Sequence, residues 1–294
     1  MSKDTMIKKA VIPAAGFGTR FLPVTKSQPK EMLPIVDTPV IQCVVEEAVA
    51  AGIRDILMII GKGKRSIEEH FDRNFELESE LEEKNREHEL QTIRHISSMA
   101  NIHFVWQKEL KGLGDAIRCA RDHVGKEPFA VLLGDTIIDA KPGVTKQLIE
   151  VFNRYQESVV GLEEVPRAKV SRYGIMSGKP LDKGGIYLVD DWIEKPKVEE
   201  APSNLAIAGR YILVPEIFDL LDSQTAGKNN EIQLTDAMRR LVKMRAMYGL
   251  RFDGVRYDIG NKLDFVKTNL IYALKREDMA KDLRAFLKTL VKSD

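Results

Sequence analysis

The sequence predicts an α/β protein: a Rossmann-like mixed, mostly parallel sheet covered by helices on both faces, with a small β extension and a helical C-terminus. Three observations carry that expectation. Short continuous apolar runs of strand length, such as Ile56–Ile60 and Phe129–Leu133, alternate with helical stretches. The first run, Lys9–Pro13, passes directly into a glycine-containing turn. From Ser158 to Leu213 the character changes, and short runs are separated by Gly and Pro. The 294 residues are 44% hydrophobic and 30% charged, enough to bury a core without disulfide staples. Lys and Arg number 45 against 44 Asp and Glu, so a net charge of +1 supplies no global field to draw in nucleic acid or an anionic membrane. No nucleic-acid or membrane partner is expected.

After the first strand and its glycine turn, Val40–Ala51 is amphipathic and helical, with Gly52 just past its end. Asp55–Ile60 is a second buried run ending at Gly61, Ile102–Trp106 a third, and Phe129–Leu133 a fourth, with a helix expected over Leu113–Asp122. Glu76–Glu89, ELESELEEKNREHE, is charge-dense without a sustained apolar stripe. It reads as a solvated helix inserted between strands, or as a subunit contact or lid. The runs SVVGLEEV, GGIYLVDDWIEKP and NLAIAGRYILVP read as strands of a mixed or antiparallel extension. Lys262–Leu290 is helical, and Leu263, Val266, Leu270 and Leu274 recur at helical spacing as a core or subunit-packing stripe. The expected division is an α/β domain over residues 1–260, with the β extension at about 158–213, and a C-terminal helical segment over 261–294. Cys43 and Cys119 sit in apolar helical contexts without a C-x-x-C, so two buried thiols are expected rather than a zinc site. The N-terminal stretch has no apolar signal region, and no run approaches the about 20 apolar residues of a membrane span. A cytoplasmic protein is expected.

The most informative segment is Ala14–Pro34, AAGFGTRFLPVTKSQPKEMLP, which follows a strand directly. Gly16 and Gly18 let the backbone approach a ligand, and the N–H groups of such a turn can hold phosphate oxygens or a base edge. The pattern is neither a Walker A loop nor the dinucleotide fingerprint, since Phe21 stands where a third glycine would be. Arg20, Lys26 and Lys30 follow the turn, and cations there suit a triphosphate.

G-x-G-T-R followed by P-K-E-M-L-P resembles the sugar-nucleotide pyrophosphorylases, also called sugar nucleotidyltransferases. Within them the chain is similar to the bacterial members that use UTP and glucose 1-phosphate. PKEMLPIVDTPVIQCVVEEAVAAGI, HFDRNFELESELEEK, KGLGDAIRCA, LLGDT, EKPKVEEAPSNLAIAGRYIL and NEIQLTDAM extend the likeness from about Lys9 to Leu274. The resemblance implies that Ala14, Ala15, Gly16, Gly18 and Glu31 belong to the nucleotide site. It implies that Gln107 and Gly112 meet the uracil, an amide being able both to donate and to accept along the O4 and N3–H edge. It places Glu194 on sugar hydroxyls, Lys195 on the sugar phosphate, and Gly174, Ala208 and Gly209 around the sugar. Asp135, at the end of an apolar run, and Asp258, in RYDIGNK, would together hold Mg²⁺. Glu231, Gln233 and Asp236 are read as helix capping and support.

The activity so implied joins UTP and glucose 1-phosphate into UDP-glucose and pyrophosphate. The attacking phosphate is already ionised at neutral pH, so positioning and charge neutralisation suffice. Arg20, Lys30, Lys195 and Asp135 are the expected catalytic groups, and cations are expected to dominate the site. The helical C-terminus makes a homo-oligomer, dimer or tetramer, the expected assembly. Three alternatives stand beside this reading. A dTTP-using enzyme would share the glycine loop. A non-catalytic regulatory paralogue would be favoured by a missing metal aspartate or phosphate lysine, and none is missing. An NAD-dependent oxidoreductase is weakened by the absent third glycine.

Overall fold

The structure, a computed structural model, describes residues 6–225 and 230–290. In chain order β1 (Lys9–Ala14) is followed by β2 (Pro34–Ile35) and β3 (Thr38–Pro39), a small hairpin, then α1 (Val40–Ala50), β4 (Asp55–Ile60) and α2 (Arg65–Phe71). The insertion forms α3 (Phe75–Glu83) and α4 (Glu87–Ser98), and β5 (Asn101–Trp106), α5 (Leu113–Arg118), α6 (Arg121–Val124) and β6 (Phe129–Leu132) complete the first half. Then come β7 (Ile137–Asp139), α7 (Val144–Tyr155), β8 (Val159–Glu164), β9 (Gly174–Pro180), β10 (Ile186–Glu194) and β11 (Leu205–Leu213). The chain ends through α8 (Ile217–Asp222), α9 (Leu234–Leu241), β12 (Tyr248–Arg251), β13 (Val255–Tyr257), α10 (Lys262–Ala273) and α11 (Ala280–Leu290).

Nine strands make one sheet in the order β5-β4-β1-β6-β11-β8-β12-β10-β9. The first four run parallel; β4, β1 and β6 are largely buried apolar runs, while β5 at the edge has no buried residue. Antiparallel pairing enters at β11, which lies between β6 and β8 with all nine residues buried. The expected β extension is present as mixed and antiparallel strands, and β8 to β11 continue the main sheet. A bulge between Val189 and Asp191 bends β10, and the β9–β10 hairpin curls until Ile175 pairs with Ala206 of β11. That curl brings Gly174 and Glu194, the paired end of the hairpin, back toward the parallel half.

Local differences from the sequence reading have physical causes. The helix over Leu113–Asp122 breaks near Cys119 into α5 and α6. The acidic insertion is two helices. Asn74 caps α3 by accepting the Leu77 N–H at 3.0 Å, and Glu78 turns inward to take Arg73 and Arg94. Those two guanidinium groups hold its carboxyl down to about 2. Half of the C-terminal stripe faces outward: Leu263 and Val266 are 63% and 62% exposed while Leu270 and Leu274 are half-buried, and Phe265 and Tyr272 pack inward beside Ile35, Val40 and Ile259. Among the described residues no helix is long and apolar enough to cross a membrane.

Candidate active site

Parallel strands present their carboxyl ends along one edge, and ligand clefts form there. Here that edge carries Ala15 after β1, Gly61 after β4, Gln107 after β5 and Leu133 to Asp135 after β6. A cleft of about 760 Å³ opens over it. Ala15, Gly16, Arg20, Lys30, Glu31, Gln107, Gly112, Asp135, Gly174, Glu194, Lys195, Ala208, Gly209 and Asp258 line this one cavity, although they span most of the chain. Ala14 and Gly18 do not line it. Ala14 is the buried last residue of β1. Gly18 lies behind Lys30: its φ is +67°, and a Cβ there would stand 3.0 Å from the Lys30 Cβ. Lys26 is exposed away from the cleft.

The floor is a chain of alternating charges. Lys30 Nζ donates to Asp135 Oδ2 at 2.5 Å and stands 4.0 Å from Glu31 Oε1. Burial opposes the Lys30 charge, but Asp135 and Glu31 outweigh it and raise its pKa. Burial likewise pushes the Asp135 carboxyl up, yet Lys30 beside it wins and holds it low. The Glu31 carboxyl is raised by burial despite Lys30 and Lys64. Lys64, just ahead of α2, donates to Glu31 Oε2 at 2.7 Å and to the Gly16 carbonyl at 2.8 Å. Glu31 and Lys64 are only 1% and 5% exposed. Glu31 lines the cleft with its carboxylate engaged by Lys64, and Lys64 also holds the glycine turn through the Gly16 carbonyl.

At one end of the cleft Gln107 Nε2 donates to Asp115 Oδ2 at 2.8 Å and to the Gly112 carbonyl at 3.2 Å. Both amide hydrogens are thus committed, and Oε1 remains to accept. The sequence reading gave the amide both roles toward a base; the structure leaves it one. Gly112, at φ +95°, holds a backbone that a side chain would jam, since a Cβ would sit 2.9 Å from the Ile232 carbonyl.

At the other end Glu194 closes β10 and Lys195 follows at φ +46°. Neighbours on an extended strand point to opposite faces. The left-handed turn cancels that alternation, so the Lys195 Nζ comes 3.1 Å from Glu194 Oε1. Thr235 donates to Glu194 Oε2 at 2.7 Å. Gly174 faces both: a Cβ there would lie 3.2 Å from Glu194 Oε2 and 2.7 Å from Ile207. Asp258 accepts the Gly260 N–H at 2.9 Å, with the Tyr173 hydroxyl 3.4 Å away.

Cations do not dominate the lining. Arg20, Lys30, Arg172, Lys195 and Arg256 are matched by Glu31, Asp135, Glu194, Glu231 and Asp258. Most of the cations are also engaged: besides Lys30 and Lys195, Arg256 donates to Glu163 at 2.6 Å and lies 4.9 Å over the Tyr173 ring. Among the described residues no ion pair within 4 Å involves Asp258, although the Arg20 guanidinium lies near it across Gly260. Two hard oxygen donors, one of them outside any such pair, suit Mg²⁺, which needs few protein ligands. Among the described residues one set of three His and Asp side chains lies within ligating reach, Asp55, His103 and His123, at the opposite end of the parallel strands. There His123 and Asp55 approach to 2.8 Å, tying α6 to β4.

Sequence reasoning missed Lys64, Arg172, Tyr173 and Arg256. Lys64 follows β4 in the stretch GKGK, and a lysine-bearing turn after a buried strand was the one available signal. Glu231 and Gln233 line the cleft rather than cap a helix, and α9 has no side-chain cap among the described residues.

A family model for nucleotidyl transferases matches residues 9–274, and the chain belongs to the nucleotidyl transferase family. It is 55% identical over 285 residues to the UTP–glucose-1-phosphate uridylyltransferase of Staphylococcus haemolyticus, covering 97% of this chain and 98% of that protein. It is 53% identical over 284 residues to the protein of the same name from Staphylococcus epidermidis, with the same coverage. A solved UDP-glucose pyrophosphorylase complexed with UDP-glucose superposes with a TM-score of 0.85 at 45% identity, covering 92% of this chain and 100% of that one. The UTP-bound enzyme from Acinetobacter baumannii gives 0.88 at 40% identity, covering 96% and 99%.

Proposed function

We propose that the protein transfers the uridylyl group of UTP to glucose 1-phosphate, giving UDP-glucose and pyrophosphate. The carrying observation is one cleft lined by the anchored Gln107 amide, by the glycine turn with Lys30 and Arg20, and by the Glu194–Lys195 turn. Relatives that share nearly the whole chain bear that activity in their names. The sugar-phosphate oxygen attacks the α-phosphorus in line. A P–O bond forms, the bond to the bridging oxygen breaks, and pyrophosphate leaves with the electron pair. The monoester is ionised at neutral pH, so no side chain need act as base.

Gln107 accepts the base N3–H, while the Gly112 backbone adjoins the ring. Ala15 and Gly16 follow the nucleotide, and Glu31 and Lys64 hold the turn. Arg20 and Lys30 neutralise the triphosphate and the leaving pyrophosphate. Lys195 orients the incoming phosphate. Glu194 takes sugar hydroxyls, and Gly174, Ala208 and Gly209 leave room for the sugar. Asp135 and Asp258 would hold Mg²⁺, which supplies positive charge to α-phosphate oxygens. With five acids balancing five cations along the lining, a divalent ion held by Asp135 and Asp258 would supply the neutralisation the side chains do not. We place the enzyme in the cytoplasm, as a homo-oligomer whose C-terminal segment from residue 261 is a packing element.

Pyrophosphate release from purified protein with glucose 1-phosphate and Mg²⁺ tests this reading. UTP should support release at least tenfold faster than dTTP or ATP, and chelation should abolish it. Faster release with dTTP would move the protein to the thymidylyl-transferring enzymes.

A further inference from the structure

We propose that Asp115 and Arg118 set the nucleobase specificity of the cleft by fixing which way the Gln107 amide faces. The inference rests on Gln107 reading the base. Reversing an amide exchanges a donor for an acceptor at one spot. An oxygen facing the base accepts from N3–H, which uracil and thymine carry and cytosine does not. An NH₂ group facing it would donate to the unprotonated N3 of cytosine. Something must therefore hold the amide one way round.

Two acceptors do so, unequally. The Gly112 carbonyl takes Gln107 Nε2 at 3.2 Å but also receives the Ala116 N–H at 3.2 Å, so it is shared. Asp115 Oδ2 is the closer partner at 2.8 Å, and an ionised carboxylate has no donor to offer a reversed amide. Gln107 and Asp115 are both buried, so water does not replace the bond. Asp115 is itself oriented: Arg118, one helical turn on in α5, donates to its other oxygen Oδ1 at 2.5 Å. The order of control runs from Arg118 to Asp115 to Gln107 to the base. Asp115 and Arg118 are positioning residues.

The arrangement makes an unusual expectation for Asp115→Asn. An asparagine has one oxygen, and the Arg118 cation claims it. Its NH₂ then faces the Gln107 NH₂, donor against donor, and the glutamine reverses. Removing Arg118 as well frees the asparagine to turn its oxygen back to Gln107. Steady-state kcat/KM is measured with UTP, CTP and dTTP for wild type, Asp115→Asn, Asp115→Asn/Arg118→Leu and Gln107→Met. The CTP-to-UTP ratio should rise at least tenfold in Asp115→Asn and return to within about threefold of wild type in the double variant. The dTTP-to-UTP ratio should stay within twofold throughout the Asp115 and Arg118 variants, because both bases carry N3–H. Equal losses for all three nucleotides in Asp115→Asn would mean a structural role only and overturn the proposal. If Asp115→Asn does not fold, the double variant carries the test, and loss of its preference for UTP over CTP overturns it. Gln107→Met reports on the underlying reading: an unmoved CTP-to-UTP ratio there removes Gln107 from base recognition. A ratio that moves in Gln107→Met but not in Asp115→Asn overturns the present inference alone.

Discussion

Lys195 reaches the cleft because its own backbone turns left-handed, at φ +46°, immediately after the last ladder pair of β10. Its ammonium stands beside Glu194 at 3.1 Å, on the opposite wall from the glycine turn. A group so placed meets the incoming phosphate rather than the nucleotide. Lys195→Ala should therefore lower kcat by about 100-fold, in the range seen when one stabilising donor is removed. UTP affinity by calorimetry should change less than about threefold. Equal losses in turnover and in UTP binding would place Lys195 on the nucleotide instead. Positive φ at a non-glycine residue carries strain, which is tolerated where neighbouring contacts fix the turn. Here the Lys195 N–H donates to the Tyr173 carbonyl at 3.0 Å. Glu194, Lys195, Lys30 and Asp135 stood out in the sequence because they sit in motifs at strand ends. Lys64 and Arg256 did not, because what makes them part of the site is burial and partners from distant segments, which no local spacing encodes; Arg172 is an exposed residue that only the fold brings to the cleft.

At the scale of elements, β1, β4 and β6 were legible because a strand buried on both faces must be apolar at every position. The joining of β8 to β11 into the same sheet was not, since pairing partners are set by tertiary contacts rather than by a strand's own pattern. What locks that junction is a buried ion pair. Arg210 of β11 is fully buried and donates to Glu47 of α1 at 2.8 Å and to the Thr136 carbonyl at 2.8 Å, next to Asp135. Glu47 also accepts the N–H and hydroxyl of Thr145 at the start of α7. Burial raises the Glu47 carboxyl, but Arg210 overrides it and holds the pKa below its ordinary 4.5. Arg210→Met leaves that carboxylate buried and unpaired, at an expected cost of about 3–5 kcal/mol. The pH dependence follows in sign. A depressed folded-state pKa gives stability that is complete above the unfolded value and is lost as pH falls through the folded one. In the variant only the two Thr145 hydrogen bonds oppose burial, the Glu47 pKa rises relative to wild type, and protonation relieves the penalty. Urea unfolding should show the gap between wild type and Arg210→Met narrowing from pH 7 to pH 4. A gap independent of pH would mean that packing, not charge, dominates at Arg210.

For the whole molecule, the proposed subunit contact belongs to the C-terminal helices. The apolar spacing of Leu263, Val266, Leu270 and Leu274 was visible in the sequence, but its direction was not. An amphipathic count cannot distinguish a stripe turned to the core from one turned to a partner. The inward contacts are made by other residues: Phe265 meets Phe21 with ring centroids 5.5 Å apart, Tyr272 meets Tyr257 at 5.7 Å, and Asn269 Oδ1 accepts the Val36 N–H at 2.8 Å. With α10 held from that side, Leu263 and Val266 remain outside, and Phe286 and Leu290 of α11 are also exposed. Apolar residues gathered on the outer faces of two successive helices mark an interaction surface more often than an idle one. A second copy of the chain is the occupant we assign, and light scattering after size exclusion should give a mass of at least two chains. Leu263→Asp/Val266→Asp places charge on that face without touching Phe265, Asn269 or Tyr272. It should shift the protein to the mass of one chain while circular dichroism stays unchanged. Uridylyl transfer should persist in the monomer, because one chain already brings Gln107, Arg20, Lys30, Glu194 and Lys195 into one cleft. A wild type that already elutes at one chain's mass, or a variant that keeps the wild-type mass, would move the interface elsewhere. Loss of activity in a folded monomer would instead mean that the partner orders α10, whose Phe265 contact with Phe21 supports the loop carrying Arg20 and Lys30.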